Sequence, residues 1–531
     1  MNPLKFSLCF LTSWGAAALL NAGLEAAEAA RPNIVYILAD DMGRGDISAY
    51  NRDAAWRTPN IDGMAADGLL FTDAHSSSAV CTPSRYSTLT GRYNWRSSRK
   101  SGVTGGFSPA LLEPGRLTVP GFLRQKGYAT AMVGKWHLGL NWVEKGRSHE
   151  SVLDDPTDGE VVGIRQKPVT VDYSQPFSGG PTDHGFDSFI GISASLDMPP
   201  YVWLRDNRVE ARLPLGRIKG RDGYEMWRAG PIGDDFTHDS VLPREVSEAV
   251  RFLEKQDGKK PFFLYLALTA PHTPILPTGR FAGFTRTTPY GDFCVQVDDV
   301  VGKVLAALAA RGLAENTLVV FTADNGCSPG ANFSELAKFH HDPGAGFRGA
   351  KADIYEGGHR IPFVARWPAK IPRGRVSDEL ICQTDLFATC AAILTENMPE
   401  NAAEDSVSFL PVLLGGSPSM PLREALVHHS INGSFAIRQG AWKLCLTPDS
   451  GGWSAPLPGK VPAGSPPFQL FDLSKDPGEK NNLYAAHPEI VQRLGKLARR
   501  YVIEGRSTPG APQQNAGGND WPELAWMNAF K

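Results

Sequence analysis

The chain contains, close to its N-terminus, the run Asn33-Ile34-Val35-Tyr36-Ile37-Leu38-Ala39-Asp40-Asp41. Its first seven residues are mostly β-branched, aromatic or otherwise apolar, and they do not alternate with polar residues. This pattern predicts a strand buried on both faces, as in a parallel sheet. The two carboxylates that follow the strand lie where open parallel sheets form their sites, outside the carboxyl ends of the strands.

Four later apolar runs have the same character, at residues 128–133, 262–268, 318–323 and 361–367. Helical patterns at 119–126, 243–256 and 292–310 precede the first three of them. A chain that alternates strand and helix in this way forms a parallel sheet with helices on both faces. The sequence therefore predicts an α/β fold.

The last quarter of the chain has a different pattern. Short strands at 425–430, 434–438, 442–446 and 469–473 are joined by turn residues, and a helix follows at 488–502. We expect a large α/β domain over residues 31–420 and a smaller α+β subdomain, an antiparallel sheet with one helix, over 421–531. Residues 505–520 are expected to form a loosely held tail.

The N-terminal residues 1–30 are typical of an export signal. Lys5 precedes a mostly apolar stretch at 6–20, and Ala27-Glu28-Ala29 offers small residues for cleavage. A membrane anchor is the alternative, but the apolar stretch is short and is interrupted by Thr12, Ser13 and Gly15. We therefore predict a secreted or periplasmic protein without a membrane span.

Composition excludes some other classes. The 531 residues carry a net charge of −2, so no global basic field predicts binding to nucleic acid. None of the seven cysteines forms a Cys-x-x-Cys pair, which argues against a zinc knuckle.

Two predicted strands end in oxygen-bearing side chains. Asp40-Asp41 follows the first, and Asp324-Asn325 follows the strand at 318–323. Three carboxylates and an amide oxygen at one sheet edge would form a hard oxygen cage for calcium or magnesium. Taken alone, an Asp pair after a strand is more often a turn or a helix cap.

Between these pairs lies Cys81-Thr82-Pro83-Ser84-Arg85. Pro83 is suited to the first turn of a helix, which would place Cys81 at a helix N-terminus that favours anions. The alternative is a buried structural cysteine. We expect Arg85 to face the site, whereas the rest of the basic run should be a solvated face, with a role in steering polyanionic glycans left open. That rest comprises Arg92, Arg96, Arg99 and Lys100.

The pentapeptide, followed by Thr90-Gly91-Arg92, resembles the signature of the formylglycine-dependent sulfatases. Gly134-Lys135-Trp136-His137-Leu138-Gly139 resembles their second signature, and the similarity extends from about Asn33 to the stretch 476–483. The resemblance implies an alkaline-phosphatase-like fold and one calcium ion. It also implies a protein partner, a separate maturation enzyme that oxidises Cys81 to formylglycine.

The same resemblance implies a role for each matching residue. Formylglycine from Cys81 would be nucleophile and metal ligand, since a hydrated aldehyde offers one hydroxyl to attack sulfur and a second to expel sulfate. Arg85 would orient it, Lys135 and Lys351 would bind sulfate, His137 would be the base and His272 the acid. The remaining metal ligands would be Asp40, Asp41, Asp324 and Asn325.

The substrate is predicted from two stretches, 191–200 and 273–277, which resemble bacterial relatives of N-acetylgalactosamine-6-sulfatase. They imply an enzyme acting on a sulfated carbohydrate or aryl sulfate, with exo-removal of a 6-O-sulfate from galactose or N-acetylgalactosamine. Loop residues that could contact the sugar are Asp183, His184, Asp197, His340 and His341, although a plain loop role is the alternative for each. Two other functions stay open: a phosphodiesterase or phosphonate monoester hydrolase of the same superfamily, and a non-catalytic glycan-binding protein.

Overall fold

The computed structural model describes residues 31–144 and 171–531, so the predicted export signal at 1–30 lies outside the described residues. The described strands, in chain order, are β1 (Asn33–Ala39), β2 (Leu69–Phe71), β3 (Ala74–His75), β4 (Ala129–Lys135), β5 (Ser188–Ile192), β6 (Leu204–Arg205), β7 (Arg208–Val209), β8 (Gly216–Ile218), β9 (Gly230–Ile232), β10 (Phe262–Ala267), β11 (Thr317–Ala323), β12 (Phe363–Arg366), β13 (Arg375–Ser377), β14 (Ile381–Cys382), β15 (Leu426–His429), β16 (Phe435–Gln439), β17 (Trp442–Cys445) and β18 (Gln469–Asp472). The described α-helices are α1 (Pro59–Ala66), α2 (Cys81–Thr90), α3 (Val119–Gln125), α4 (Val241–Glu254), α5 (Pro289–Ala310), α6 (Phe333–Ala337), α7 (Glu356–His359), α8 (Leu386–Ile393), α9 (Leu410–Leu413) and α10 (Pro488–Glu504).

A ten-stranded sheet organises most of the chain, in the order β13-β2-β12-β11-β1-β10-β4-β5-β6-β7. Its centre is parallel: β1 pairs with β10 on one side and β11 on the other, and β4 and β5 continue beyond β10. The predicted α/β class is confirmed, and the strand at 33–39 has the predicted bounds.

Both faces of this sheet are covered, which explains the unbroken apolar character of its central strands. Successive residues of β1 point to opposite faces, so Val35 and Ile37 pack with α4 and α5, whereas Ile34 and Tyr36 pack with α2, α3 and α8. Each such side chain removed from water stabilises the fold by about 1.5–3 kcal/mol. The two cores hold the strand ends rigidly in register.

One strand runs against the prediction. The run at 361–367 forms β12, which is antiparallel to both β11 and β2. The composition of a buried strand records that it is covered on both faces but not the direction in which it runs, so the prediction of a fifth parallel strand was wrong.

The C-terminal residues form the expected antiparallel sheet, β15-β16-β17-β18, with α10 packed on it. The stretch at 505–520 is not loosely held, however. Gln513 N–H donates to the carbonyl of Glu504 over 2.8 Å, and Ala516 N–H donates to the carbonyl of Arg96 over 2.7 Å. These bonds fix it against α10 and the loop that follows α2.

The basic run after Cys81 is also not a solvated face. Arg92 and Arg96 are buried, and Arg99 and Lys100 are half-buried. Arg92 pairs with Glu113 and Glu404, and Arg96 pairs with Asp405. Glu404 and Asp405 lie far along the sequence, so spacing alone gave no sign of them. The structure gives no support to glycan steering by these arginines.

Within 31–144 and 171–531, none of the helices combines the length and the apolar character that crossing a bilayer requires.

Candidate active site

The carboxyl ends of β1, β4, β10 and β11 meet at one edge of the sheet. There the backbone hydrogen bonding continues beyond the strands: Asp40 N–H donates to the carbonyl of Ala270 over 2.9 Å, and Asp324 N–H donates to that of Ala39 over 3.0 Å. The parallel register therefore places Asp40, Asp324 and the segment leading to His272 side by side, as the sequence predicted.

The predicted oxygen cage is assembled at this edge. Asp41 has a left-handed backbone with φ of 64°, and its N–H donates to Asp324 Oδ1 over 3.2 Å. Asn325 Nδ2 donates to Asp41 Oδ1 over 2.7 Å. Asp40 Oδ1 and Asn325 Oδ1 are buried, yet neither has a hydrogen-bond partner among the described residues. Buried oxygens without partners are costly, and a hard cation would satisfy them, so the donor set fits a divalent metal ion.

The charges around the cage support the same reading. Burial raises the pKa of the Asp40 carboxyl, but Lys135, His272 and Arg85 together hold it below its usual range. The pKa of the Asp324 carboxyl is raised, by burial and by the charge of Asp40. Carboxylates crowded into one buried site repel each other, and a cation between them relieves that repulsion. Ligand atoms of Asp40, Cys81 and Asp324 lie within 4.8 Å of one another, as do those of Asp40, Asp41 and His272.

Cys81 is the first residue of α2, as predicted, and Pro83 stands in its first turn. The helix ends at Gly91, whose φ of 65° is the left-handed conformation that terminates helices. Cys81 is only 3% exposed, and burial raises the pKa of its thiol. Because the thiolate is the reactive form of cysteine, the unmodified side chain is a poor nucleophile here.

Three cations face the three carboxylates. Arg85 Nη2 lies 2.8 Å from Asp324 Oδ2, Lys135 Nζ lies 2.6 Å from Asp40 Oδ2, and Lys351 Nζ lies 2.7 Å from Asp41 Oδ2. The protein charges in the site therefore balance. A divalent cation bound in this site would add two positive charges. A singly charged anionic ester would then be attracted to the site and would reduce that excess to one.

His137 is held in one tautomer. Its Nε2 lies 2.7 Å from the carbonyl oxygen of Thr104, which can only accept, so Nε2 carries the proton. Nδ1 then has a free lone pair, is buried and has no partner among the described residues. Burial, with the charges of Lys135 and Arg85, holds the pKa of His137 well below its ordinary value. The ring is therefore neutral.

His272 lies on the more open side of the site. Its side chain is 10% exposed, Nε2 is 3.5 Å from Asp41 Oδ2, and the ring is 3.4 Å from the hydroxyl of Ser195. Ser195 also accepts a hydrogen bond from Lys135 Nζ over 3.0 Å. Sequence reasoning gave Ser195 no role, because a serine in a loop after a strand carries no distinguishing signal.

A second residue that sequence reasoning missed is Glu245. It is fully buried on α4, accepts hydrogen bonds from the N–H and hydroxyl of Thr269, and so supports the loop that carries His272. Burial raises the pKa of Glu245 to about 8. Its position five residues into a helix resembles that of any surface glutamate, so the sequence offered no sign of it.

The loop residues that were candidates for sugar contact do not all lie in the same kind of environment. Burial raises the pKa of the Asp197 carboxyl, but the charges of His272, Arg228 and Lys135 together lower it below its usual range. His341 is committed elsewhere, with Nε2 at 2.8 Å from Asp46 Oδ1 and its ring stacked on Trp56. His184 is half-buried, and its backbone carbonyl accepts a hydrogen bond from the Thr118 hydroxyl, whereas His340 is exposed.

Comparison with known proteins agrees with this geometry. The family model described as Sulfatase matches residues 32–395. The N-acetylgalactosamine-6-O-sulfatase of Bacteroides thetaiotaomicron is 34% identical over 499 residues, which cover 88% of this chain and 92% of that protein. Human arylsulfatase A is 33% identical over 521 residues, which cover 94% of this chain and 93% of that protein.

Solved structures show the same relationship. One, described in connection with glycosaminoglycan metabolism by Bacteroides thetaiotaomicron, superimposes with a TM-score of 0.75 at 32% identity, covering 89% of this chain and 99% of that one. A sulfatase from Pseudoalteromonas sp. superimposes with a TM-score of 0.67 at 22% identity, covering 93% and 95%, and shows a shared fold alone. The family model spans well over half of the chain, and two relatives exceed 30% identity over nearly all of it. The chain therefore belongs to the sulfatase family, whose members hydrolyse sulfate esters.

Proposed function

We propose that this protein hydrolyses sulfate monoesters of carbohydrates, with Cys81 converted to formylglycine. One observation carries the proposal: Cys81, buried at the start of α2, lies within 4.8 Å of ligand atoms of Asp40 and Asp324, beside the cations that pair with those carboxylates. A thiol so placed has little chemistry of its own, whereas a formylglycine there would supply a hydrated aldehyde as an oxygen nucleophile. The conversion requires the separate maturation enzyme as a partner.

The metal site of this proposal is a calcium ion held by Asp40, Asp41, Asp324, Asn325 and the modified residue 81. Support comes from Asp40 Oδ1 and Asn325 Oδ1, two buried oxygens that accept no hydrogen bond from the described residues. When bound, the ion neutralises the carboxylates and increases the acidity of oxygen groups that it contacts. Four protein oxygen donors on hard carboxylate and amide groups favour calcium or magnesium over softer metals.

The side chains divide the remaining work. Lys135 and Lys351 bind and neutralise the sulfate oxygens, and Arg85 orients residue 81 while it pairs with Asp324. His137, neutral and with Nδ1 free, accepts a proton during sulfate release. His272, on the open side next to Ser195, donates a proton to the departing alcohol.

For the substrate we propose the 6-O-sulfate of galactose or N-acetylgalactosamine at a chain end. The names of the bacterial and human relatives support a sulfated sugar or an aryl sulfate. We also propose export of the chain after cleavage near residue 30, and division into a catalytic domain over 31–420 and a C-terminal subdomain over 421–531. An exported enzyme would meet extracellular sulfated polymers.

Mass analysis of the peptide containing residue 81, combined with turnover of 4-nitrophenyl sulfate and of an aryl phosphate diester, tests the proposal. We expect formylglycine at position 81 in protein from the native host and preference for the sulfate. Cys81→Ala and Cys81→Ser should lose turnover and keep the fold. An unmodified thiol in active protein, or wild-type rates in Cys81→Ala, would overturn it; preference for the diester would favour the phosphodiesterase alternative.

A further inference from the structure

The loop that follows β5 forms one wall of the site. Ala194 and Met198 pack in the same apolar cluster as Cys81. Between them, Ser195 accepts a hydrogen bond from Lys135 and lies 3.4 Å from the ring of His272. The residues that follow Ser195 in this loop therefore continue from a point next to the histidine proposed to protonate the departing alcohol.

Asp197 is one of the residues that follow Ser195. It is only 3% exposed, and its Oδ2 accepts a hydrogen bond from Arg228 Nη1. Its other oxygen, Oδ1, is buried and has no hydrogen-bond partner in the part of the chain that the structure describes. An ionised carboxylate can accept several hydrogen bonds, so Asp197 keeps unused accepting capacity two residues beyond Ser195.

Arg228 is fastened to Asp197 by backbone as well as side chain. Its N–H donates to the carbonyl of Asp197 over 3.0 Å. The hydroxyl of Tyr201 lies 2.9 Å from the carbonyl of Asp197 and 2.7 Å from that of Arg228. The Arg228 side chain is nevertheless 28% exposed, and among the described residues only Asp197 accepts from its guanidinium. Asp197 thus holds Nη1 of the guanidinium, while Nε and Nη2 have no acceptor among the described residues.

The chemistry of the pair matches hydroxyl groups. Because Asp197 compensates the charge of Arg228, the pair attracts a second anion weakly, and Lys135 and Lys351 already serve the sulfate. Two open donors beside a carboxylate with a spare lone pair can both donate to and accept from hydroxyls on neighbouring carbons. We infer that Arg228, held by Asp197, reads the ring hydroxyls of the sugar that carries the sulfate.

This inference rests on the proposed function, and one ratio tests it separately. The ratio is kcat/KM for N-acetylgalactosamine 6-sulfate over kcat/KM for 4-nitrophenyl sulfate, which has no ring hydroxyls. In Arg228→Met we expect the ratio to fall about 100-fold or more, because a site built for a hydroxyl loses heavily when the bond is removed. Asp197→Asn, which keeps the shape of the side chain but weakens its hold on Arg228, should lower the ratio by a smaller factor.

Arg221→Met is the matched control. Arg221 lies in the same region, is 55% exposed and pairs with Glu225 rather than with a residue of the site. Its ratio should stay within about threefold of wild type. Ratios within threefold of wild type in both Arg228→Met and Asp197→Asn would overturn the inference while sulfatase chemistry stands. Aryl hydrolysis without hydrolysis of any monosulfated sugar by the wild type would also overturn it, whereas hydrolysis of neither substrate by formylglycine-containing protein would overturn the proposed function itself.

Discussion

Replacing Arg96 by methionine should destabilise the protein strongly, because Arg96 joins parts of the chain that are distant in sequence. Arg96 is completely buried, and Nε and Nη2 donate to Asp405 over 2.8 and 2.9 Å. Nη1 donates to the carbonyl of Tyr501 on α10 and to Asn515 Oδ1, and the guanidinium lies 4.1 Å from the ring centre of Trp95. One side chain thus joins the loop after α2 to the C-terminal helix and tail.

The size of the expected loss in the free energy of unfolding follows from the buried carboxylate that the substitution leaves without its cation. Methionine fills much of the space of the arginine stem, but the Asp405 carboxylate stays buried, with the Tyr93 N–H as a remaining donor. Removing one partner of a buried ion pair costs about 3–5 kcal/mol, mainly because the other charge is uncompensated. At about 1.4 kcal/mol per tenfold change, the unfolding equilibrium should shift by a factor of roughly 100 to 4,000.

Urea unfolding followed by tryptophan fluorescence measures this change. Arg251→Met is the control, since Arg251 is 54% exposed and its ion pair with Glu248 should contribute less than about 1 kcal/mol. The double variant Arg96→Met/Asp405→Leu should be more stable than Arg96→Met, because it removes the orphaned carboxylate. A free energy of unfolding for Arg96→Met within about 1 kcal/mol of wild type would refute the reasoning.

Three further outcomes are expected. Asp324→Ala should lose both bound metal and turnover, measured by elemental analysis and 4-nitrophenyl sulfate hydrolysis. Full activity in metal-free protein would contradict the proposed metal site. His137→Gln should lower kcat by about 10²- to 10⁴-fold without moving the urea midpoint, as expected for a lost general base, and a kcat within tenfold of wild type would argue against that role. Burial lowers the pKa of His75 to about 4, and the pKa of His428 lies well below its ordinary value. Between about pH 6.5 and 4 the unfolded chain therefore binds protons that the folded protein does not, so stability should fall on acidification by about 1.4 kcal/mol per pH unit for each such histidine. His428→Phe should reduce that slope, and an unchanged slope in urea titrations at pH 7 and pH 5 would count against it.

The strands and the chemistry-bearing residues of the edge could be predicted because each carries a local signal. The run at 33–39 is buried along its whole length, and its unbroken apolar composition, ending at Asp40, marked it as a strand covered on both faces. Asp40-Asp41 and Asp324-Asn325 stand directly after strands, where parallel topology brings them together whatever the intervening loops do. The motif around Cys81 specified a helix start, and α2 begins at that residue.

The missed features depend on partners that are distant in sequence. Arg96 meets Asp405 across 309 positions, and Arg92 meets Gln514 across 422. A basic run is solvated unless distant groups such as Asp405 pair with it, and no neighbouring residue in the sequence indicates that such groups exist. Ser195 and Glu245 act by position, not by unusual composition, so a single sequence could not separate them from ordinary loop and helix residues.

The direction of β12, the strand that composition could not orient, has a consequence for the site. A parallel successor to β11 would have needed its connection to cross to the opposite edge of the sheet before the strand could begin. Because β12 is antiparallel to β11, its first residue lies at the edge where β11 ends. The whole connection from 324 to 362 can therefore stay at the catalytic edge. It carries Asp324 and Asn325 at its start and Lys351 further on, so one connection supplies two of the proposed metal ligands and the ammonium that pairs with Asp41. The antiparallel direction of β12 thus brings Lys351 into the centre of the site, although its sequence context resembles that of an ordinary surface lysine.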